Sequence, residues 1–183
     1  MVLFDTIRNF FLPDIVREDE KVVPAPPGTY EIKPLTSKHI KELIRLNLRC
    51  FRQGDSYTKY AFEFLFNEPN TLSYRVVSEK GDMVGFVFVM VNDNGAAHLT
   101  TIGIAPEHRR RGLAKRLLKH VETALIKRDV STLVLEVRVS NTNAQELYRR
   151  NGYYIVQRIN RYYLNGEDCF LMVRSLAAEA AID

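Results

Sequence analysis

The sequence predicts one mixed α/β domain, with a single, largely antiparallel sheet of about six to seven strands flanked by about four helices. Three observations support this fold class. Short apolar segments are separated by turn sequences, other segments have apolar residues at helical spacing, and the two kinds occur in mixed order. The length of 183 residues with 46% hydrophobic residues fits one globular domain with a sizeable core.

The first half of the predicted domain has one strand, then two helices, and then a run of three strands. We expect a strand from Tyr30 to Pro34, a helix from Ser37 to Phe51 behind a Thr36-Ser37 cap, and a short helix from Tyr57 to Phe66. Turn sequences at residues 80–82 and 92–95 separate three strands, predicted at Leu72 to Glu79, Met83 to Val91 and Ala96 to Ile104.

The second half contains a strand, turn, helix, strand unit. Gly112 opens a helix with an apolar face, and a strand follows from Thr132 to Val139. A helix from Thr142 to Arg150 ends at Asn151-Gly152. Two final strands flank the turn at residues 164–167.

The flanking segments differ from the domain in composition. Residues 1–27 are expected to form an amphipathic helix and a proline-rich linker, residues 28–176 the domain, and residues 177–183 a tail. The helix must bury its apolar stripe of Leu3, Ile7, Phe10 and Phe11 against the protein's own core or a second subunit, which leaves a homodimer open. Membrane attachment is disfavoured because the polar face of this helix carries only one base, Arg8, against Asp5.

Composition excludes several classes of protein. The two cysteines, Cys50 and Cys169, are too few for a disulfide framework and have no neighbours at metal-ligand spacing, so we expect a cytoplasmic protein without a metal site. No apolar run has the length of about 20 residues that a membrane span requires, and the start of the chain lacks the pattern of a signal peptide. The net charge of +4 suits a polyanionic ligand but is small for a dedicated nucleic-acid binder.

The basic turn between the third strand of that run and the following helix is the densest chemical feature. Three consecutive arginines, Arg109 to Arg111, precede Gly112 at the start of the helix. Cationic side chains and unpaired backbone N–H groups then meet at the positive end of a helix dipole, which favours phosphate binding. The alternative from charge alone is a solvated basic turn.

The order of motifs resembles a known enzyme family. Arg109-x-x-Gly112-x-Ala114 after a strand is similar to the acetyl-CoA signature of the GNAT superfamily of N-acetyltransferases, and residues 98–119, 133–141, Ala144, Tyr148 and Gly152-Tyr153 continue the resemblance. Residues 161–168 resemble the branch that acetylates protein N termini, including the bacterial ribosomal-protein alanine acetyltransferases. The resemblance implies acetyl-CoA as donor and a sheet splayed at the site of its binding.

The same resemblance implies roles for individual residues. Backbone groups of Ile102, Gly103 and Ile104 would hold the pantetheine arm, and Asn141 would hydrogen-bond it. The acetyl-CoA pyrophosphate would be bound by the turn that begins at the first residue of the signature, which comprises Arg109, Arg110, Arg111, Gly112, Leu113, Ala114 and Lys115. Glu136 and Tyr148 match the proton-transferring Glu and Tyr of the ribosomal-protein enzymes.

Glu136 is also the best general-base candidate from chemistry alone. A carboxylate in the apolar strand Leu133 to Val139 is costly unless it is paired or used. Its structural alternative is an ion pair with Arg138 or another base, and that of Tyr148 is an aromatic plug between helix and sheet. A rival base is Asp55, which lies where the related enzymes have Glu, although a helix N-cap is the alternative for it.

The acceptor is predicted from weaker signals. Tyr57 and the pair Tyr162-Tyr163 are candidates for lining a peptide cleft, while His98 is interpreted as structural. The favoured function is acetyl transfer to the α-amino group of a protein or peptide, by direct attack in a ternary complex. Two alternatives stay open: a small amine as acceptor, or a non-catalytic acyl-CoA-binding module. No nucleic acid is expected as a stable partner.

Overall fold

A computed structural model describes residues 22–51, 56–92 and 94–177, and within these ranges the chain forms seven strands and four α-helices. The strands are β1 (Tyr30–Pro34), β2 (Thr71–Ser78), β3 (Met83–Val91), β4 (Ala96–Ile104), β5 (Thr132–Arg138), β6 (Tyr154–Ile159) and β7 (Cys169–Ser175). The helices are α1 (Ile40–Cys50), α2 (Lys59–Asn67), α3 (Leu113–Ile126) and α4 (Thr142–Arg150). The predicted fold class is confirmed.

The strands form one mixed sheet in the order β1-β2-β3-β4-β5-β7-β6. β1 with β2, β5 with β7, and β6 with β7 pair antiparallel, whereas β4 and β5 are parallel. The parallel ladder is short: Ala96, Ala97 and His98 lie opposite Thr132, Leu133 and Val134. β4 continues beyond this ladder to Ile104.

The chain divides into two compact units, cut within β3, β4 and α3. The first unit contains the described residues up to Phe88 together with Thr101–Leu117. Its core contains an aromatic cluster in which the Phe62 ring lies 6.2 Å from that of Phe86 and 5.5 Å from that of Phe88. The second unit contains Val89–Thr100 and the described residues from Leu118 onward, and Leu133, Leu135 and Met172 are fully buried in its core.

Some predicted boundaries shift for local reasons. Residues Ser37–His39 form a turn of 3-10 helix before α1, with Thr36 and His39 in a capping box. Thr58 caps α2 by accepting the Ala61 N–H at 3.1 Å, so this helix begins after Tyr57 and its N-cap is not Asp55. Residues 160–168 form a longer connection between β6 and β7 than the predicted turn.

Several predictions concern residues outside the described ranges. The amphipathic helix of the first 21 residues, the homodimer that it would mediate, and the base role of Asp55 belong to this group. Among the residues that the structure describes, no helix is long and apolar enough to cross a membrane. The same residues contain no cluster of side chains suited to holding a metal ion.

Candidate active site

The predicted phosphate turn reverses the chain between β4 and α3. Arg110 and Gly112 both adopt left-handed backbone conformations, with φ of 63° and 73°. The Arg116 N–H donates to the Gly112 carbonyl at 3.0 Å, so the N–H groups of residues 113–115 come before the first helical donor and have no acceptor within the helix. A Cβ added at Gly112 would meet no atom within 4 Å. The start of α3 therefore presents N–H groups beside open space, which suits an anion.

The three arginines of this turn have different contacts. Arg109 donates from Nε to the Ile104 carbonyl at 3.1 Å and from Nη2 to the Cys50 carbonyl at 3.0 Å. Arg111 donates from Nη1 to the Pro26 carbonyl at 2.9 Å and from Nη2 to the Ala25 carbonyl. Arg110 and Lys115 are exposed. The side chains of Arg109 and Arg111 thus brace the turn, and those of Arg110 and Lys115 are open to a phosphate.

Residues 22–28, of which all but Gly28 were predicted to belong to a linker, form a strap that is held on the turn. The Ala25 N–H donates to the Glu107 carbonyl at 2.9 Å, and Arg49 pairs with the Glu107 carboxylate at 2.8 Å. The Tyr30 hydroxyl lies 3.0 Å from both Nδ1 of His108 and Nη1 of Arg111. These contacts make the strap part of the first unit.

We expect Arg111→Ala to release the strap, because it removes the donor to two strap carbonyls. Hydrogen exchange should then speed up at the Ala25 amide, which the strap holds against Glu107. Arg110→Ala is the matched control, since it removes the neighbouring charge from an exposed position. Equal exchange rates at Ala25 in both variants would contradict the assignment of Arg111 as the clamp.

The end of β4 is closely packed at its glycine. A Cβ added at Gly103 would lie 2.8 Å from the Phe86 ring and 3.1 Å from Sγ of Cys50. The part of β4 that extends beyond its three residues paired with β5 includes Ile102, Gly103 and Ile104.

Burial raises the pKa of the Cys50 thiol to about 12, and burial likewise raises the pKa of Cys169 to about 12. Both thiols are therefore protonated at neutral pH and are poor nucleophiles.

Glu136 makes a buried contact with a base, His98, that was not named as its partner from the sequence. Its Oε2 lies 2.7 Å from Nε2 of His98, and the side chains of His98 and Glu136 are 4% and 6% exposed. The register explains the contact: His98 lies beside Val134 in the parallel ladder, and Glu136 is two residues further along the same face. In the described chain, no group hydrogen-bonds to the buried Oε1 of Glu136.

Arg138, the partner first considered for Glu136, is used elsewhere. It pairs with Glu167 at 2.7 Å, and its guanidinium lies 3.8 Å from the centre of the Tyr163 ring. Glu167 also accepts the Ser140 N–H at 2.8 Å. Tyr162, the predicted substrate residue, is half-buried on the loop that these contacts hold, with its ring centroid 5.1 Å from that of Tyr163.

Tyr148 and Asn141 lie at opposite ends of α4. Tyr148 is buried in the last turn, and burial raises the pKa of its hydroxyl, so it stays protonated at neutral pH. Asn141 is the N-cap: its Oδ1 accepts the Ala144 N–H at 3.1 Å. The oxygen of Asn141 thus caps the helix, and the predicted hydrogen bond to the pantetheine arm would use the amide nitrogen or the second lone pair of that oxygen.

Tyr57 is more buried than a cleft-lining residue is expected to be. The residue is 4% exposed, its ring centroid lies 5.8 Å from that of Phe62, and its backbone N–H and C=O both hydrogen-bond the Asn47 side chain. A substrate contact would have to use the small exposed part of this residue.

Comparison with known proteins decides the family. Residues 40–153 match the sequence profile of the Acetyltransferase (GNAT) family, which covers more than half of the chain. The chain belongs to the GNAT family. It is an acetyl-CoA-dependent N-acetyltransferase, as the resemblance implied.

Proteins that are similar to this chain are named as acetyltransferases. The chain is 30% identical over 152 residues, 81% of its length and 74% of the relative's, to an N-terminal acetyltransferase complex ARD1 subunit homolog of Dictyostelium discoideum. It is 34% identical to the N-alpha-acetyltransferase daf-31 of Caenorhabditis elegans, over 72% of this chain and 74% of that one. The crystal structure of the ribosomal-protein-S18-alanine N-acetyltransferase from Escherichia coli superposes with a TM-score of 0.74 at 27% identity, over 81% of this chain and 94% of that one.

The residues that are predicted to bind acetyl-CoA in this GNAT enzyme fit that donor by their chemistry. The pyrophosphate carries negative charge, and the turn combines open space at Gly112, N–H groups at the start of α3, and the exposed bases Arg110 and Lys115. The individual contacts predicted for these residues stay predictions.

The contact between His98 and Glu136 could have been predicted from a signal in the sequence. Each is an ionisable residue within an otherwise apolar strand, and the two strands flank the turn and helix of one strand, turn, helix, strand unit. Such units pair their strands in parallel, which brings residues on corresponding faces together. Reading each strand alone hides this pairing.

Proposed function

We propose that this GNAT enzyme acetylates the α-amino group of a protein or peptide N terminus, by direct attack of that amine on acetyl-CoA in a ternary complex. Glu136 is the general base and Tyr148 the general acid. One observation carries the proposal: a buried carboxylate is held through Oε2 by His98 while Oε1 has no hydrogen-bond partner in the described residues. A buried hydrogen-bond acceptor without a partner destabilises the fold unless a substrate or a water molecule donates a hydrogen bond to it.

Glu136 would accept the proton that the attacking amine loses. The His98 contact at 2.7 Å fixes the rotamer of the carboxylate and leaves Oε1 as the reactive oxygen. His98 is accordingly a positioning residue for the base in this scheme. The nitrogen forms its bond to the thioester carbonyl carbon, and the bond from that carbon to sulfur breaks.

Tyr148 would return a proton to the departing sulfur. A proton donor must be protonated before the reaction, and burial raises the pKa of this hydroxyl above the ordinary tyrosine value, which itself lies above neutrality. Exchange with solvent then restores the protonated Tyr148 and the ionised Glu136. The raised pKa of both thiols argues against an acetyl-cysteine intermediate, which supports direct attack.

The α-amino group is favoured as acceptor for two reasons. Its reference pKa of about 7.7 to 8.0 lies far below the value of about 10.4 for lysine, so much more of it is neutral at physiological pH and a single carboxylate suffices as base. The relatives at 30% and 34% identity are named as N-terminal and N-alpha acetyltransferases. Solved structures of spermidine acetyltransferases at 20% identity or below share the fold alone.

The experiment is an acceptor panel. The protein is incubated with acetyl-CoA and with short peptides that differ in their first residue, alongside the same peptides with a blocked N terminus and an internal lysine, and alongside polyamines. Mass spectrometry should locate the acetyl group on the α-nitrogen of unblocked peptides. Acetylation of polyamines or blocked peptides alone would overturn the proposed acceptor.

A further inference from the structure

A buried ionic network lies in the second unit and has no part in the reaction described above. Glu122 of α3 is 1% exposed, and its Oε1 lies 3.1 Å from Nη1 of Arg174 on β7. The same oxygen accepts a hydrogen bond from the Tyr153 hydroxyl at 3.2 Å. Burial raises the pKa of Tyr153, so this hydroxyl stays protonated and acts as the donor.

This network is attached to the end of α4. Arg174 donates from Nη1 to the carbonyl of Asn151, the residue that caps the helix. The N–H groups of Asn151 and Tyr153 in turn donate to the Tyr148 carbonyl, at 2.9 and 3.1 Å. The Tyr153 ring lies 5.6 Å from that of Tyr148, centroid to centroid. The network therefore contacts Tyr148 through both its backbone and its ring.

Burying an ionic network between α3 and β7 has an unfavourable desolvation free energy. Removing a carboxylate and a guanidinium from water opposes folding, and well-packed apolar residues often stabilise a core equally well or better. What charged groups add is defined geometry, because each hydrogen bond fixes a direction as well as a distance. Here the groups with fixed directions end at the last turn of the helix that carries Tyr148.

We propose that Glu122 is a positioning residue for Tyr148. Through Arg174 it fixes the C-terminal end of α4, and through the Tyr153 hydroxyl it fixes the ring against which the Tyr148 ring packs. This proposal rests on the proposed role of Tyr148 as general acid. Loss of the network then leaves the acid present but displaced, and small displacements of a catalytic group are costly to turnover.

The test is a double-mutant cycle that measures kcat, the KM for peptide and the Kd for acetyl-CoA. Tyr153→Phe removes one hydroxyl and keeps the ring, so it is the principal variant, with Glu122→Gln as the second. We expect Tyr153→Phe to lower kcat by about 10-fold with KM for peptide within about 2-fold. In a Tyr148→Phe background, the same change should alter kcat by less than about 2-fold, because the group being positioned is already absent.

Tyr154→Phe is the matched control. It makes the same chemical change at the next residue, which is 56% exposed on β6, and kcat should be unchanged. An equal drop in kcat on adding Tyr153→Phe to the wild-type protein and to Tyr148→Phe would overturn the positioning role alone. Wild-type turnover in Tyr148→Phe would instead overturn the acid role, and the positioning role with it.

Discussion

Gly112→Glu is expected to weaken acetyl-CoA binding by at least ~100-fold, about 2.8 kcal/mol, while the protein stays folded. Gly112 lies between Arg111 and the first turn of α3, where an added side chain projects into open space. A carboxylate there would repel a pyrophosphate and compete for the N–H groups that suit it. Calorimetric titration with acetyl-CoA measures the affinity, and circular dichroism measures the fold.

Gly81→Glu is the matched control for that change. Gly81 also has a left-handed backbone, with φ of 89° against 73° for Gly112, and a Cβ added there also meets nothing within 4 Å. Both variants carry the same added charge and a similar backbone strain of about 1–2 kcal/mol. Any difference in affinity therefore reports the location of the charge. Equal Kd values for the two variants would show that the pyrophosphate binds elsewhere.

Glu136→Gln is expected to lower kcat by about 10²- to 10⁴-fold, the usual contribution of a general base. Glutamine keeps the size of the side chain and its contact to His98, but it cannot accept the proton of the attacking amine. The Kd for acetyl-CoA should change little, because the proposed role of Glu136 is to accept a proton from the attacking amine and not to bind the donor. Steady-state kinetics with a peptide substrate, together with calorimetry for the donor, separate the two effects.

Glu146→Gln provides the comparison for Glu136→Gln. Glu146 is an exposed residue of α4 that pairs with Arg150 four residues away, so its loss should leave kcat as in the wild type. If Glu136→Gln also turned over at the wild-type rate, its contact with His98 would be a structural ion pair and another group would supply the base.

The elements of this fold were predictable because each is encoded locally. Apolar segments bounded by turn sequences predicted β3 and β4 with the bounds that the structure shows, and α4 was likewise predicted at its observed residues. The start of α2 was missed by two residues because a nearby cap, Thr58, competes with other candidates for the first turn.

The residues proposed for the candidate site come from the sequence, whereas their observed contacts could not be predicted from it. Arg111 was predicted to bind the pyrophosphate with its neighbours, and the pattern of three arginines does not reveal that its guanidinium donates to carbonyls 85 and 86 positions away. For Glu136 the sequence named only Arg138 among the bases that could pair with it, whereas the observed partner, His98, comes from the adjacent strand. Contacts of this kind depend on register and on the path of distant segments, which no local pattern contains.

The strap of residues 22–28 has a thermodynamic consequence for the segment that precedes it. Arg111 joins the strap to the turn assigned to the pyrophosphate, so ordering at one is linked to ordering at the other. Coupling between two binding events is reciprocal. Suppose that acetyl-CoA stabilises the strap on the turn and that a partner draws the N-terminal segment away. The partner must then weaken the binding of acetyl-CoA, and acetyl-CoA must weaken the binding of the partner by the same factor.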